Sequence, residues 1–401
     1  MVKTFTSSNK EAADTNGRIF GLDVMRACSI LFVFLAHSMP LNPLNDVFPY
    51  FGWMGFGVEA FFVLSGFLIG RIILRSLFKP AISFQSVKIF WVNRWLRTLP
   101  AYLVAFGAYY LLSPATHNRL FYLFFAQNII TPMPGFFSHS WSLAVEEWFY
   151  LLFPICLITI ATVTGRFTDR YRIYITGVIC FIVFGFISKS IYHWAYHENV
   201  FAWLLDRELI FPSWQTFLSP TGDWDSMRKM VPFRIDAIAY GCLVAYLMEQ
   251  YRFSKKVRLA LVLAGMVGLV VCFQIISHTT AGGKTNVLSD IFLLPLLCIS
   301  FALLLPGAVA CPRPGRFVAK VITNISLTSY SFYLMHLLIL DLVVAWYENS
   351  AGAATLSKGL VFTGTYLLIY LISYLMYKFV ELPFMNLRKR LFANPARVTS
   401  V

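Results

Sequence analysis

Residues 19–40 read IFGLDVMRACSILFVFLAHSMP, and the fold class turns on that stretch. It is apolar for long enough to cross a bilayer's hydrocarbon core, which takes about 20 residues as a helix, yet it carries Asp23, Arg26 and His37. A preceding Arg18, the interruptions at Asp23 and Arg26, and the lack of a small-residue cleavage site argue against a cleavable signal. Further runs of this kind lie near 53–75, 90–112, 141–163, 173–190, 233–250, 258–277, 288–306, 325–347 and 359–381. Leu120 to Ile130 is too short to span and contains Gln127 and Asn128. Lipid-exposed backbone must satisfy its own hydrogen bonds, so this run reads as re-entrant or interfacial. The expectation is an all-α integral membrane protein of about ten transmembrane helices, with one short re-entrant or interfacial segment near 120–131.

Composition agrees. The 401 residues are 58% hydrophobic, 17% aromatic and 13% charged, against roughly 25% charged in soluble domains. That excludes a water-soluble protein, a disordered chain, a collagen-like repeat and a small disulfide scaffold. The net charge of +14 would suggest nucleic acid in a soluble protein. In a membrane protein, basic residues mark cytoplasmic loops instead. Ten spans with both termini cytoplasmic place Arg71 to Arg97, then Arg166 to Arg172, Arg252 to Arg258, Arg313 to Lys320 and Arg388 to Arg397 on one side. The mixed acidic and aromatic connection from Ile191 to Met230 then forms an outer cap. Residues 1–17 read as a flexible cytoplasmic N-terminus, 18–387 as the transmembrane domain and 388–401 as a basic cytoplasmic tail. The seven cysteines show no C-x-x-C pair or metal-like spacing, so neither a disulfide framework nor a metal site is expected.

An ionisable group in mid-span costs about 2.5–3.5 kcal/mol on insertion scales and marks function by default. At 100° per residue, Asp23, Arg26 and His37 share one helix face, and the helical rise separates Arg26 from His37 by roughly 16 Å. Alone, His37 reads first as a histidine near a helix end, hydrogen-bonded or wetted by the interface. In the fourth span, Trp141-Ser142-Leu143-Ala144-Val145-Glu146-Glu147 sets Glu146 at about the depth of His37. A carboxylate there can fix the imidazole's tautomer for general-base work, while Glu147 is expected to complement the helix N-terminus. Ser65-Gly66 lacks the flanks of a nucleophile elbow, so close helix approach is favoured. Arg94-x-x-Arg97 with Arg71 can clamp phosphates, although positive-inside anchoring explains any single Arg equally well.

Arg234 and Asp236 point to different faces and different partners. His336 lies mid-span, as a second catalytic group or, the favoured reading, a structural hydrogen-bonder. Glu381 is expected to pair with a cytoplasmic Arg. His193-x-x-x-His197 reads as an aromatic loop rather than a metal site. No Walker sequence, G-x-G-x-x-G or H-x-x-x-x-D box occurs.

Four blocks together resemble the acyltransferase-3 family of integral membrane acyltransferases: Gly21-Leu22-Asp23-x-x-Arg26 with His37; Phe61-Phe62-Val63-Leu64-Ser65-Gly66-Phe67; Arg94-x-x-Arg97 with Leu99-Pro100; and Trp141-Ser142-Leu143 with Glu146 and Phe149-Tyr150. Arg234-x-Asp236, Ser329-Tyr330 with His336, and Glu381-x-Pro383 add weaker support. The resemblance implies transfer of an acyl group, acetyl by default, from cytoplasmic acyl-CoA to a hydroxyl of a carbohydrate or similar acceptor, in a multi-pass protein of the bacterial inner membrane. It implies no tightly bound cofactor and no nucleic acid. His37 then looks like the catalytic histidine and Glu146 like its acidic partner. Arg26, Arg71, Arg94 and Arg97 look like the donor-binding set, completed by Asp23, Ser65, Arg234, Tyr330 and His336, with Ser65 or Tyr330 as oxyanion donors. Direct transfer and an acyl-histidine intermediate are both compatible. At this length the chain is expected to act alone or to hand its acyl group to a separate partner transferase. The rival reading is a multi-span transporter of a polar solute without acyl-transfer chemistry.

Overall fold

The computed structural model describes residues 18–43, 54–79, 81–113, 119–129, 135–197, 227–282, 285–350 and 356–392. Their regular elements are helical: α1 (Phe20–His37), α2 (Gly57–Ile72), α3 (Phe84–Leu112), α4 (Leu120–Leu123), α5 (Trp141–Thr164), α6 (Arg170–His197), α7 (Val231–Arg234), α8 (Asp236–Gln250), α9 (Lys255–Gly282), α10 (Leu293–Val309), α11 (Arg316–Asn349), α12 (Lys358–Met376) and α13 (Leu382–Phe392). Among the described residues, nine segments are long and apolar enough to cross a membrane. The expected third span is not one of them. α3 is 29 residues long and opens on a Ser83 capping box, but Lys88, Arg94 and Arg97 crowd its first half.

Helix sense decides whether α3 crosses. Arg26 of α1 meets Ser326 of α11, and His37 of α1 meets His336 of α11, so the two helices run parallel. Ten crossings with α3 included make α11 the ninth and give that sense, because each crossing reverses the chain. Counting α4 as well would invert it.

The described part of the segment near 120–131, residues 120–129, folds as expected of a non-spanning piece. α4 is a single turn, and Tyr102 OH donates to the Tyr122 carbonyl at 2.8 Å. Gln127 and Asn128 are buried. Gln127 Nε2 donates to the Ser140 carbonyl at 3.2 Å, and Asn128 Nδ2 to the carbonyls of Trp141 at 3.1 Å and Lys229 at 2.6 Å. The side-chain N–H groups of both amides are thus satisfied by protein rather than left in lipid.

The expected loop at His193 and His197 is instead the end of α6, and His193 is buried with Nδ1 2.8 Å from Asp290 Oδ2. Residues 198–226 of the expected outer cap, the expected flexible N-terminus 1–17 and the tail at 393–401 lie outside the described residues.

Small residues set the central contact. α2 packs most extensively on α8, where Gly66 lies on the Ile238 carbonyl and Gly241 on the Val63 carbonyl. A Cβ at either position would collide with backbone, so the close approach read from Ser65-Gly66 is what the pair permits. Around this contact the expected division of Arg234 and Asp236 holds. Arg234 is bound to Glu59, which Arg228 also approaches at 3.7 Å, and Asp236 is paired with Lys189 at 2.7 Å. All of these except Arg228 are fully buried or nearly so.

Candidate active site

α1, α2, α3, α5 and α11 enclose a cavity of about 1050 Å³, counted with its open mouth. Arg26, Ser65, Arg94, Arg97, Glu146 and Tyr330 all line it. Arg26 Nη1 donates to Ser326 Oγ at 3.3 Å, and Ser326 Oγ donates to Asp23 Oδ1 at 2.7 Å. Asp23 is also paired with Arg18 and lies 3.8 Å from Arg26. It therefore stands behind Arg26, outside the cavity wall, and orients it.

Arg94 lies over the Tyr150 ring, 4.1 Å from its centroid, and donates to Tyr150 OH at 2.7 Å. Tyr150 OH in turn donates to Glu146 Oε2 at 3.0 Å, and Arg94 comes within 3.7 Å of the same oxygen. Ser65 Oγ donates to the other carboxylate oxygen at 3.0 Å. Arg97 differs from both neighbours. It lines the cavity half-buried, and among the described residues no side chain or carbonyl forms a hydrogen bond or close ion pair with it. Glu381, the expected partner of a cytoplasmic Arg, accepts from Ser331 instead.

The opposite end of the cavity is closed by Ser142 and Tyr333, whose hydroxyl oxygens lie 2.6 Å apart. Tyr333 OH donates to the His139 carbonyl at 2.9 Å. Directly beyond stand three imidazoles. The ring centroids of His139 and His336 are 4.9 Å apart, and those of His37 and His336 are 5.1 Å apart. His139 and His336 are buried, whereas His37 is exposed at the end of α1.

Against known proteins, the chain matches the family model of an acyltransferase domain, Acyl_transf_3, over residues 19–379. The chain belongs to the acyltransferase-3 family. It is 26% identical over 396 residues to the Staphylococcus aureus (strain COL) protein named "Putative O-acetyltransferase SACOL0978", covering 91% of this chain and 57% of that one. It is 24% identical over 393 residues to O-acetyltransferase OatA of Staphylococcus aureus (strain NCTC 8325 / PS 47), covering 90% and 56%. The chain thus spans a little over half the length of these relatives. No solved structure matches it.

Within this acyltransferase-3 domain the pairing of His37 with Glu146 expected from the sequence does not form. The hydrogen bonds and ion pair of Glu146 go to Ser65, Tyr150 and Arg94, while His37 Nδ1 lies 3.2 Å from His336 Nε2. The reason is depth. A 3-10 turn at Ser138–Ser140 leads into α5, so His139 takes the level of His37 and Glu146 sits seven residues, roughly 10 Å, further in. The same offset overturns the N-terminal role expected of Glu147, which lies beyond the first turn and accepts from Thr98 Oγ1 at 3.0 Å.

Two further members of the expected set lie off the cavity. Arg71 rests over the Phe67 ring, and Arg234 is held by Glu59. The hydroxyl protons of the two suggested oxyanion donors are committed, that of Ser65 to Glu146 and that of Tyr330 to the Thr98 carbonyl at 3.0 Å. His139, Ser142 and Tyr333 are not among the site residues expected from the sequence, although Ser142 stands in the Trp141-Ser142-Leu143 block. The available signal was His139 itself, an ionisable residue two positions before the Trp141 that opens a span.

Proposed function

We propose that the chain is a membrane O-acyltransferase, seated in the bacterial inner membrane, that moves an acyl group from acyl-CoA to a hydroxyl of a carbohydrate acceptor. Its similarity to proteins named O-acetyltransferases favours acetyl. One observation carries the reading: three guanidinium groups, Arg26 of α1 with Arg94 and Arg97 of α3, line the cavity, and a pair of imidazoles, His37 of α1 and His336 of α11, stands beyond its other end. Arg26 and His37 are eleven residues apart on α1, roughly 16 Å along the axis, a distance that the extended pantetheine arm of coenzyme A can bridge.

In this mechanism Arg97, with Arg26 and Arg94 beside it, holds donor phosphates by charge-assisted hydrogen bonds. The thioester is delivered past Tyr333 to His37. His37 takes the proton of the acceptor hydroxyl as that oxygen attacks the thioester carbonyl. The new C–O bond forms, the C–S bond breaks, and the departing thiolate takes the proton back from the imidazolium. Glu146 holds Arg94 and Ser65 in place.

The test is the full chain in lipid nanodiscs with labelled acetyl-CoA and envelope glycan as acceptor, following free thiol and label transfer together. His37→Ala should abolish both while coenzyme A still binds. Wild-type turnover by that variant refutes the assignment of His37, and solute flux without thiol release in the wild type favours the transporter.

A further inference from the structure

The two imidazoles at the end of the α1–α11 pair form a bond whose direction can be worked out from its surroundings. His336 is fully buried, at 0% exposure, and among the described residues no carboxylate bonds to it. Its ring is therefore neutral, because a bare charge there would be far too costly. A neutral imidazole has one N–H and one lone pair. His336 Nδ1 lies 2.7 Å from the Tyr333 carbonyl oxygen. A carbonyl can only accept, so Nδ1 carries the hydrogen and Nε2 carries the lone pair. His37 Nδ1 sits 3.2 Å from that Nε2, so His37 must be the donor. Its single proton in the neutral form is then on Nδ1, and its Nε2 is the basic nitrogen.

We propose that His336 is the positioning residue for His37: by accepting from His37 Nδ1–H it fixes the tautomer that presents Nε2 as the base, the task the sequence had suggested for Glu146. This rests on His37 being the catalytic base. The arrangement also suits the step after proton uptake. When His37 becomes an imidazolium, its Nδ1–H stays bonded to a neutral acceptor and no buried carboxylate is needed.

His139 belongs to the support and not to the dyad. Its Nε2 lies 3.1 Å from the Leu334 carbonyl, so Nε2 carries its hydrogen. Its ring packs on His336, and its own carbonyl accepts from Tyr333 OH. Tyr333 thereby bonds through its carbonyl to His336 and through its hydroxyl to the carbonyl of His139, whose ring packs at a tilt against His336. The turn before α5 and the outer part of α11 hold the His336 ring from two sides.

The experiment is nitrogen-15 spectroscopy on histidine-labelled full chain in nanodiscs, alongside turnover with acetyl-CoA and envelope glycan. The His37 signals are those lost in His37→Gln. In the wild type, His37 should show a protonated Nδ1 and an unprotonated Nε2. His336→Phe should release the ring to the other tautomer and lower kcat by about 10²- to 10⁴-fold, with KM for acetyl-CoA unchanged. His336→Gln, whose amide oxygen can accept from Nδ1–H, should recover a substantial part of that loss.

A neutral His37 with its proton on Nε2 in the wild type overturns the proposal, as does His336→Phe with wild-type kcat. Should the Phe variant fail to fold, the wild-type spectrum decides. The two levels separate cleanly: full activity in His37→Gln removes the catalytic reading of His37, whereas an inactive His37→Gln beside a fully active His336→Phe removes only the positioning role.

Discussion

The three cavity arginines are not equally available to a ligand, and Arg97→Ala tests this. Arg94 is committed to Tyr150 OH at 2.7 Å and to the Glu146 carboxylate at 3.7 Å. Arg26 is committed to Ser326 at 3.3 Å and lies 3.8 Å from Asp23. Arg97 alone of the three brings its donors to the cavity without such a partner among the described residues. A hydrogen bond to a charged group is worth about 1.5–3 kcal/mol, and each 1.4 kcal/mol is about tenfold in affinity. Arg97→Ala should therefore raise KM for acetyl-CoA by about 10- to 150-fold. Its kcat at saturating donor should be close to wild type, because the group acts on bound and transition states alike. Arg97→Lys keeps the charge but loses the planar fork and should fall between. The assay is steady-state thiol release across a range of acetyl-CoA concentrations, with direct coenzyme A binding measured in parallel. An unchanged KM and unchanged coenzyme A affinity in Arg97→Ala, beside a large loss in Arg26→Ala or Arg94→Ala, refutes the reasoning.

Two other substitutions test the frame that carries the site. Lys189 and Asp236 are paired at 2.7 Å with side chains 0% and 1% exposed, so Asp236→Ala leaves an uncompensated buried ammonium and should cost about 3–5 kcal/mol. Replacing both, as Lys189→Met with Asp236→Leu, should recover most of it, and thermal unfolding in micelles reads the difference. Gly66→Val drives a side chain into the Ile238 carbonyl across the α2–α8 contact. It should cost about 1–3 kcal/mol or more by overpacking and lower the yield of monodisperse protein, whereas Gly107→Ala, with nothing within 4 Å of the added carbon, should not.

What sequence could reveal followed from local rules. Apolar runs near the bilayer's length gave the helices. The shortness of 120–131, with Gln127 and Asn128, marked it as non-spanning, and the charges in α1, α3 and α5 marked the site. Arg26, Ser65, Arg94, Arg97, Glu146 and Tyr330 do line one cavity. The failures lie where depth or partner choice is a tertiary fact. The start of α5 at Trp141 was legible, but the level at which it stands against α1 was not: the turn at Ser138–Ser140 puts His139, and not Glu146, beside the end of α1. Arg234 looked available because its partner, Glu59, is 175 residues away. That His336 meets the ring of His37, 299 positions away, is likewise a contact that no spacing contains.

The α1–α11 pair explains why the two chemical ends of the site are far apart yet fixed relative to each other. Arg26 to His37 is eleven residues and Ser326 to His336 is ten, so two parallel helices touch at both ends over nearly equal lengths. A slide of one helix along the other cannot improve one contact without breaking the second. Rotation by one residue, about 100°, would lose both. Rigid helices are better able than loops to hold reacting groups within the roughly 0.5 Å that catalysis requires. Here the arginine that faces the donor and the imidazole that meets its far end share a single rod, so their separation is set by helical rise alone. On the transferase reading, that separation selects the length of the donor: a carrier whose thioester lies much nearer its anionic group than in acyl-CoA would bind beside Arg26 and leave the carbonyl short of His37.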